Sequence, residues 1–345
     1  MPAHPEALLI ARPAFLAGLA SIAFARPACA DASAAREAVE GIAATIPGRV
    51  AVYARELSGR EETIALDADE LFPAASVVKL AIMLTAYRAI EDGRIALSTP
   101  VAFAAGDVVG GSETFGDARA GESAPLGALL RAMIRQSDNC AANALVDRFG
   151  FATINGVIAR AGLHRTHLRR YFMYFSKAHE NVTTARDIGT LLFAIERGAR
   201  GDGDALVSAR SCRAMIDTLL GQEDREKIAP GLPRGVPLAN KTGELPGARH
   251  DAGIVDPYGP RPYVLVVLEK NLDDQDVGVR GITRISRSIY RSFGTAAPSD
   301  EAHQQHRSAR VIEREACHVA DRSRSDAAAM TRGQEKRDVG AARFG

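Results

Sequence analysis

The sequence has no tryptophan, and aromatic residues supply only 6% of its 345 positions. So sparse an aromatic content offers little stacking surface for bases or sugars. An excess of one charge is missing too: 43 lysines and arginines stand against 42 aspartates and glutamates, a net charge of +1. That balance gives no overall attraction for nucleic acid or an anionic membrane, which leaves a smaller, more local partner. Cysteine is scarce. Cys29, Cys140, Cys212 and Cys317 follow no zinc or haem spacing, so no metal site is expected. Cys140 and Cys212 could pair only if the fold brings their α-carbons within about 7 Å, and two buried free thiols are the favoured reading.

What is present is an ordinary globular composition, 46% hydrophobic and 25% charged. The length exceeds the roughly 250 residues at which one core stops growing, so two lobes are expected. At the N-terminus Arg12 precedes an apolar run over residues 13–24, and Ala28-Cys29-Ala30 offers small residues at the positions a signal peptidase reads. The run is too short to cross roughly 30 Å of hydrocarbon. Residues 1–30 are therefore read as a secretory signal, which implies a periplasmic or secreted protein with no membrane insertion after its removal. Residues 295–345 are rich in charge and poor in large apolar side chains, and are read as a disordered tail.

Residues 31–294 contain no internal repeat and fall into three blocks. Val50-Ala51-Val52-Tyr53-Ala54 and Thr63-Ile64-Ala65-Leu66, separated by Ser58-Gly59-Arg60, signal a hairpin. The last block predicts strands over residues 237–243, 252–256 and 263–269, a turn at Pro257-Tyr258-Gly259-Pro260, and a helix over 275–291. Between them the apolar residues recur at helical spacing, as in Leu126-Leu129-Leu130-Met133-Ile134 and Ile188-Leu191-Leu192-Ile195. The expectation is an α+β fold: a five-stranded antiparallel sheet lobe (31–80 and 235–294) with an inserted all-helical lobe (81–234). The lobe interface makes a natural cleft.

Three short motifs carry chemistry. Phe72-Pro73-Ala74-Ala75 leads into Ser76-Val77-Val78-Lys79 and then a run to Gly93 that is apolar on nearly every side, the pattern of a buried helix. Ser76 and Lys79 share a face one turn apart, with the amine in reach of the hydroxyl. Burial disfavours a charged lysine, and a lysine pushed toward neutrality can take the proton from a serine, otherwise a feeble nucleophile. A serine at a helix start also has its own N–H free for an oxyanion. By itself the pair is better read as an N-cap serine with a snorkelling lysine. Gln136-Ser137-Asp138-Asn139 joins two helical stretches, where a bland reading is an N-cap. Lys241-Thr242-Gly243 ends a strand and reads alone as an edge lysine with a glycine bulge.

In this order and spacing the three motifs resemble the active-site set of serine β-lactamases and penicillin-binding proteins, and are most similar to the class A β-lactamase family. Phe72-Pro73 ahead of the serine and Ala252-Gly253-Ile254-Val255 after the Lys-Thr-Gly strand agree, and the resemblance spans residues 50–293. It implies that Ser76 is the nucleophile, Lys79 its proton acceptor or relay, and Ser137 the hydroxyl that protonates the departing nitrogen. It implies further that Asn139 holds the substrate's side-chain carbonyl, that Lys241 and Thr242 meet its carboxylate, and that the N–H groups of Ser76 and Glu244 form the oxyanion hole. Gly243 lets an extended substrate lie along the strand as an added edge. Arg249 is a candidate for a second carboxylate contact.

One feature of class A enzymes is missing: a Glu followed four residues later by Asn, the Glu activating the water that cleaves the acyl-enzyme. Residues 168–182 are instead basic and aromatic, with Arg169-Arg170-Tyr171-Phe172-Met173-Tyr174-Phe175. Glu180 is the candidate deacylation base there, and Glu113, Glu244 or the His250-Asp251 pair are other candidates to line the cleft. Asp187 is better explained as capping, in Thr184-x-x-Asp187. The expected function is hydrolysis of β-lactam amides through an acyl-serine. The alternatives are a D-Ala-D-Ala carboxypeptidase or esterase, or a sensor-like domain acylated without turnover. The expected partner is a β-lactam or a peptidoglycan-like peptide, bound by a monomer that needs no cofactor.

Overall fold

The computed structural model describes residues 28–58, 63–202 and 206–294. The expected signal segment and charged tail thus lie almost wholly outside the described residues. The described residues begin with helix α1 (Ala28–Ala43), strands β1 (Arg49–Glu56) and β2 (Thr63–Leu66), and a short β3 (Phe72–Pro73). A 3₁₀ turn over Ala75–Val78 runs into α2 (Lys79–Glu91). Next come β4 (Pro100–Ala102), β5 (Ser123–Pro125), α3 (Leu126–Arg135), α4 (Asn139–Phe149) and α5 (Phe151–Arg160). After β6 (Val182–Thr183), α6 (Ala185–Arg200) and α7 (Ala209–Leu220), the chain returns through β7 (Leu238–Leu245), β8 (Ala248–Val255), β9 (Tyr263–Lys270) and α8 (Gln275–Phe293).

Five strands form one antiparallel sheet in the order β2-β1-β9-β8-β7, as the α+β reading requires. Strand β9, Tyr-Val-Leu-Val-Val-Leu-Glu-Lys, is central and buried on both faces, which explains its unbroken apolar run. Its alternate residues go to different cores. Val264, Val266 and Leu268 join the helical lobe, whereas Tyr263, Leu265 and Val267 pack with Ile282, Ile285 and Ile289 of α8. Side-chain caps fix several helix starts: Asp138 accepts from Ala141 N on α4, Thr184 from Asp187 N on α6, and Asp274 from Asp276 N on α8. The capping expected at Thr184 is therefore present. No helix among the described residues is long and apolar enough to cross a membrane.

Two boundaries differ from the sequence reading. Strand β8 begins at Ala248 rather than at residue 252, because Arg249, His250 and Asp251 pair in register with Glu244, Gly243 and Thr242. Polar side chains had hidden a strand whose backbone ladder is complete. Helix α2 begins at Lys79, so Ser76 lies in the preceding 3₁₀ turn rather than in the helix proper. Cys140 and Cys212 are buried free thiols, as read.

Candidate active site

The site forms where the 3₁₀ turn, the α3–α4 junction and the edge strand β7 meet. Ser76 is partly exposed, while Lys79 and Lys241 are fully buried. Ala75, just before the serine, has φ 44°, and Ser137 has φ 60°. Side-chain-bearing residues rarely adopt that left-handed region, and it costs of order 1–2 kcal/mol. The strain therefore falls on two of the three motifs.

Ser137 stands between the two lysines. Lys241 Nζ donates to Ser137 Oγ at 3.0 Å and to Thr242 O at 2.9 Å. Lys79 Nζ donates to Ser137 O at 2.6 Å, to Asn139 Oδ1 at 2.8 Å and to Ser137 Oγ at 3.4 Å. These three acceptors surround the Lys79 amine. The direct Lys79–Ser76 hydrogen bond expected from the sequence is absent among the described residues. Spacing alone placed the amine beside the hydroxyl, but Ser137 and Asn139 at the α3–α4 junction supply the acceptors that hold it.

Burial is the main cause of both lysines' low proton affinity. For Lys79 desolvation comes first and the neighbouring Lys241 charge second, and together they hold the amine well below its ordinary value against Asp138 and Cys140. Lys241 is lowered to about 7 by burial, opposed mainly by Asp251 and Asp224. Asp138 is held as an acceptor by Thr114 N, Phe115 N and Ala141 N, so it belongs to the helix cap rather than to the cleft.

The remaining predicted residues fall into three groups. Asn139 joins the cluster, and its Nδ2 also donates to Gly110 O and Gly111 O. Gly243 packs against the nucleophile's turn: a Cβ there would lie 3.2 Å from both Ser76 N and Ala75 Cβ. This brings the Ser76 segment against the strand that leads into Glu244, the two segments expected to supply the oxyanion donors. Thr242 lies near the Asp224 carboxyl, whose pKa it helps Lys227 to lower. Arg249 is turned to the β7–β8 bend, with Nη1 donating to Ala248 O and Leu245 O.

None of the carboxylates or bases considered for deacylation contacts Lys79, Ser137 or Lys241 through a hydrogen bond. Glu180 pairs with Arg170 at 2.5 Å and lines a cavity of about 330 Å³ with Pro73, Phe175, Leu245 and Lys270. Glu113 is exposed, and Glu244 pairs with Lys227 at 2.8 Å. Asp251 is buried, accepts from Asn240 and Ile228 N, and is raised to about 6 by burial. His250 is buried with both ring nitrogens engaged.

Two site residues escaped the sequence reading. Phe172 places its ring 4.5 Å from Lys79 Nζ, and its backbone is clamped by Asn143 through N to Oδ1 at 2.8 Å and Nδ2 to O at 3.2 Å. Asn143, a polar residue on the buried face of α4, was the available signal. Lys227 is fully buried between Asp224 (2.5 Å) and Glu244 (2.8 Å), although its polar sequence surroundings suggest an exposed lysine.

Fold and cluster together define a member of the serine β-lactamase and penicillin-binding protein superfamily. The chain belongs to the Beta-lactamase enzyme family, whose model matches residues 34–293. It is 31% identical over 246 residues to a β-lactamase of Streptomyces albus G, covering 68% of this chain and 77% of that protein. A β-lactamase structure from Sphaerobacter thermophilus superposes with TM-score 0.68 at 30% identity, covering 78% and 99% of the two chains. A PBP-A mutant solved as an acyl-enzyme complex with penicillin G superposes with TM-score 0.70 at 25% identity, covering 76% and 97%. The protein is thus a β-lactamase-like hydrolase.

Proposed function

We propose that this chain opens β-lactam amides by acylation of Ser76 and releases the acyl group slowly. The observation that carries this reading is the Ser137 hydroxyl held between two buried lysines beside the Ser76 turn. Ser76 Oγ attacks the lactam carbonyl and gives its proton to Lys79, which burial favours as a neutral amine. The new O–C bond forms as the ring C–N bond breaks. The departing nitrogen takes a proton from Ser137, which Lys79 and Lys241 flank and resupply. Lys241, with Thr242, receives the substrate carboxylate. Water then adds to the ester, its hydroxyl going to the carbonyl and its proton to Ser76.

The last step lacks a carboxylate. The group against Lys79 is the Phe172 ring, and general-base assistance is worth about 10²–10⁴ in rate. An uncyclised D-Ala-D-Ala-type peptide is the second reading, favoured by the same ring. An acyl-enzyme that resists water suits a peptidase or transfer enzyme better than a rapid antibiotic hydrolase. Intact-mass measurement after adding penicillin G, with product formation followed in parallel, tests the proposal. We expect an adduct of one penicillin per chain that outlasts its formation by at least 10²-fold. No mass shift would refute acylation, and rapid multiple turnover without an adduct would refute slow release.

A further inference from the structure

We infer that His250 is a positioning residue for Ser76, acting through the carbonyl of Pro73. This rests on Ser76 being the nucleophile. His250 lies on β8 directly opposite Gly243 of β7, and both side-chain positions face the nucleophile's turn. It is fully buried, with Nε2 2.7 Å from Pro73 O and Nδ1 accepting from Glu269 N at 3.2 Å. Nδ1 also lies 2.7 Å from Arg249 O, so a carbonyl stands at each ring nitrogen. Burial lowers the pKa to about 4, so at neutral pH the ring carries a single proton. Placed on Nε2, that proton is donated to Pro73 O and leaves Nδ1 to accept from Glu269 N, the one donor facing the ring.

Pro73 is three residues before Ser76, and the link between them is pinned from both sides. On the loop side Ala74 N donates to Asn181 O at 2.7 Å, and β3 pairs with β6. On the sheet side the anchor is His250. Between these points Ala75 is held at φ 44°, a conformation that persists only where the surroundings over-determine it. Released from one anchor, Ala75 relaxes toward ordinary φ and Ser76 turns away from the Gly243 strand. Displacement of a nucleophile by about 1 Å is enough to cost on the order of 10²-fold. A core histidine kept only for packing would not need its Nε2 proton, and this difference is testable.

The test is the rate of acylation by penicillin G, resolved into binding and chemical steps, for wild type, His250→Gln and His250→Phe. The glutamine amide reaches as far as Nε2 and keeps the donor, whereas phenylalanine keeps the ring and loses it. We expect His250→Phe to lower the acylation step at least 10-fold with binding changed less than 3-fold, and His250→Gln to retain most of the rate. Should His250→Phe not fold, His250→Asn replaces it. Its amide imitates Nδ1 for Glu269 N–H but is too short for Pro73, so it too should be slow. A donor-less variant as fast as wild type overturns the inference, as does equal slowing of the glutamine variant. Neither adduct nor product on wild type instead refutes the serine reading and this inference with it.

Discussion

At the residue scale the chemistry turns on two amines that water does not reach. Lys79 and Lys241 share one hydroxyl, and the Lys241 charge disfavours that of Lys79. Their proposed tasks call for opposite protonation states, Lys79 neutral to accept a proton and Lys241 charged to hold a carboxylate. Since Lys241 titrates at about 7, acylation efficiency toward an anionic β-lactam should fall as pH rises above about 7. Lys241→Arg, whose charge persists at all accessible pH, should move that decline upward by at least one pH unit, as read from the pH profile of the second-order acylation rate. A decline left in place would exclude Lys241 as its source. That Ser76, Lys79, Ser137, Asn139, Lys241 and Gly243 gather in one cleft was legible from three motifs, since their order and spacing already grouped them. The direction of the Lys79 side chain was not legible. It depends on acceptors supplied 58 and 60 positions away by Ser137 and Asn139.

At the scale of elements, the proposed slow release of an acyl-enzyme rests on the segment from Leu168 to Val182. The sequence showed that it lacks the Glu-x-x-x-Asn pattern. It did not show that Phe172 is the group pressed against Lys79, since that follows from Asn143 gripping the Phe172 backbone. Phe172→Glu should place a carboxylate there and shorten the acyl-enzyme lifetime by about 10-fold or more, measured as decay of the adduct mass. Beneath α8 the strand β9 buries Glu269, whose two carboxyl oxygens have no hydrogen-bond partner among the described residues. Burial raises it to about 9. A carboxyl whose folded pKa exceeds its unfolded value binds more protons when folded. It therefore weakens the fold increasingly as pH rises from the ordinary glutamate range toward 9. Glu269→Gln removes the charge and should raise Tm at pH 8 by a few degrees, with the gain shrinking toward pH 5. A gain independent of pH would contradict the burial argument. The β-hairpin, the buried helix and the turn at Pro257-Tyr258-Gly259-Pro260 were readable from local pattern. The early start of β8 was not, since a strand rich in Arg, His and Asp lacks the alternation that marks one.

On the scale of the whole molecule, two cores meet along one sheet. Strand β9 divides its side chains between them, and β7 runs along the free edge with the helical lobe facing it. The ends of the chain build the sheet, and its middle supplies Ser137 and Asn139, so the cleft exists only when both lobes are folded. That arrangement follows from hydrophobic periodicity, which is why the architecture was readable while the packing within the cleft was not. The account's central claim is that Ser76 is a covalent nucleophile activated within this cleft. Its most direct test is peptide mapping of the protein after exposure to penicillin G, alongside Ser76→Ala. The account predicts the acyl mass on the peptide containing Ser76 and none on the variant. An adduct on another residue, or one that survives in Ser76→Ala, would contradict it.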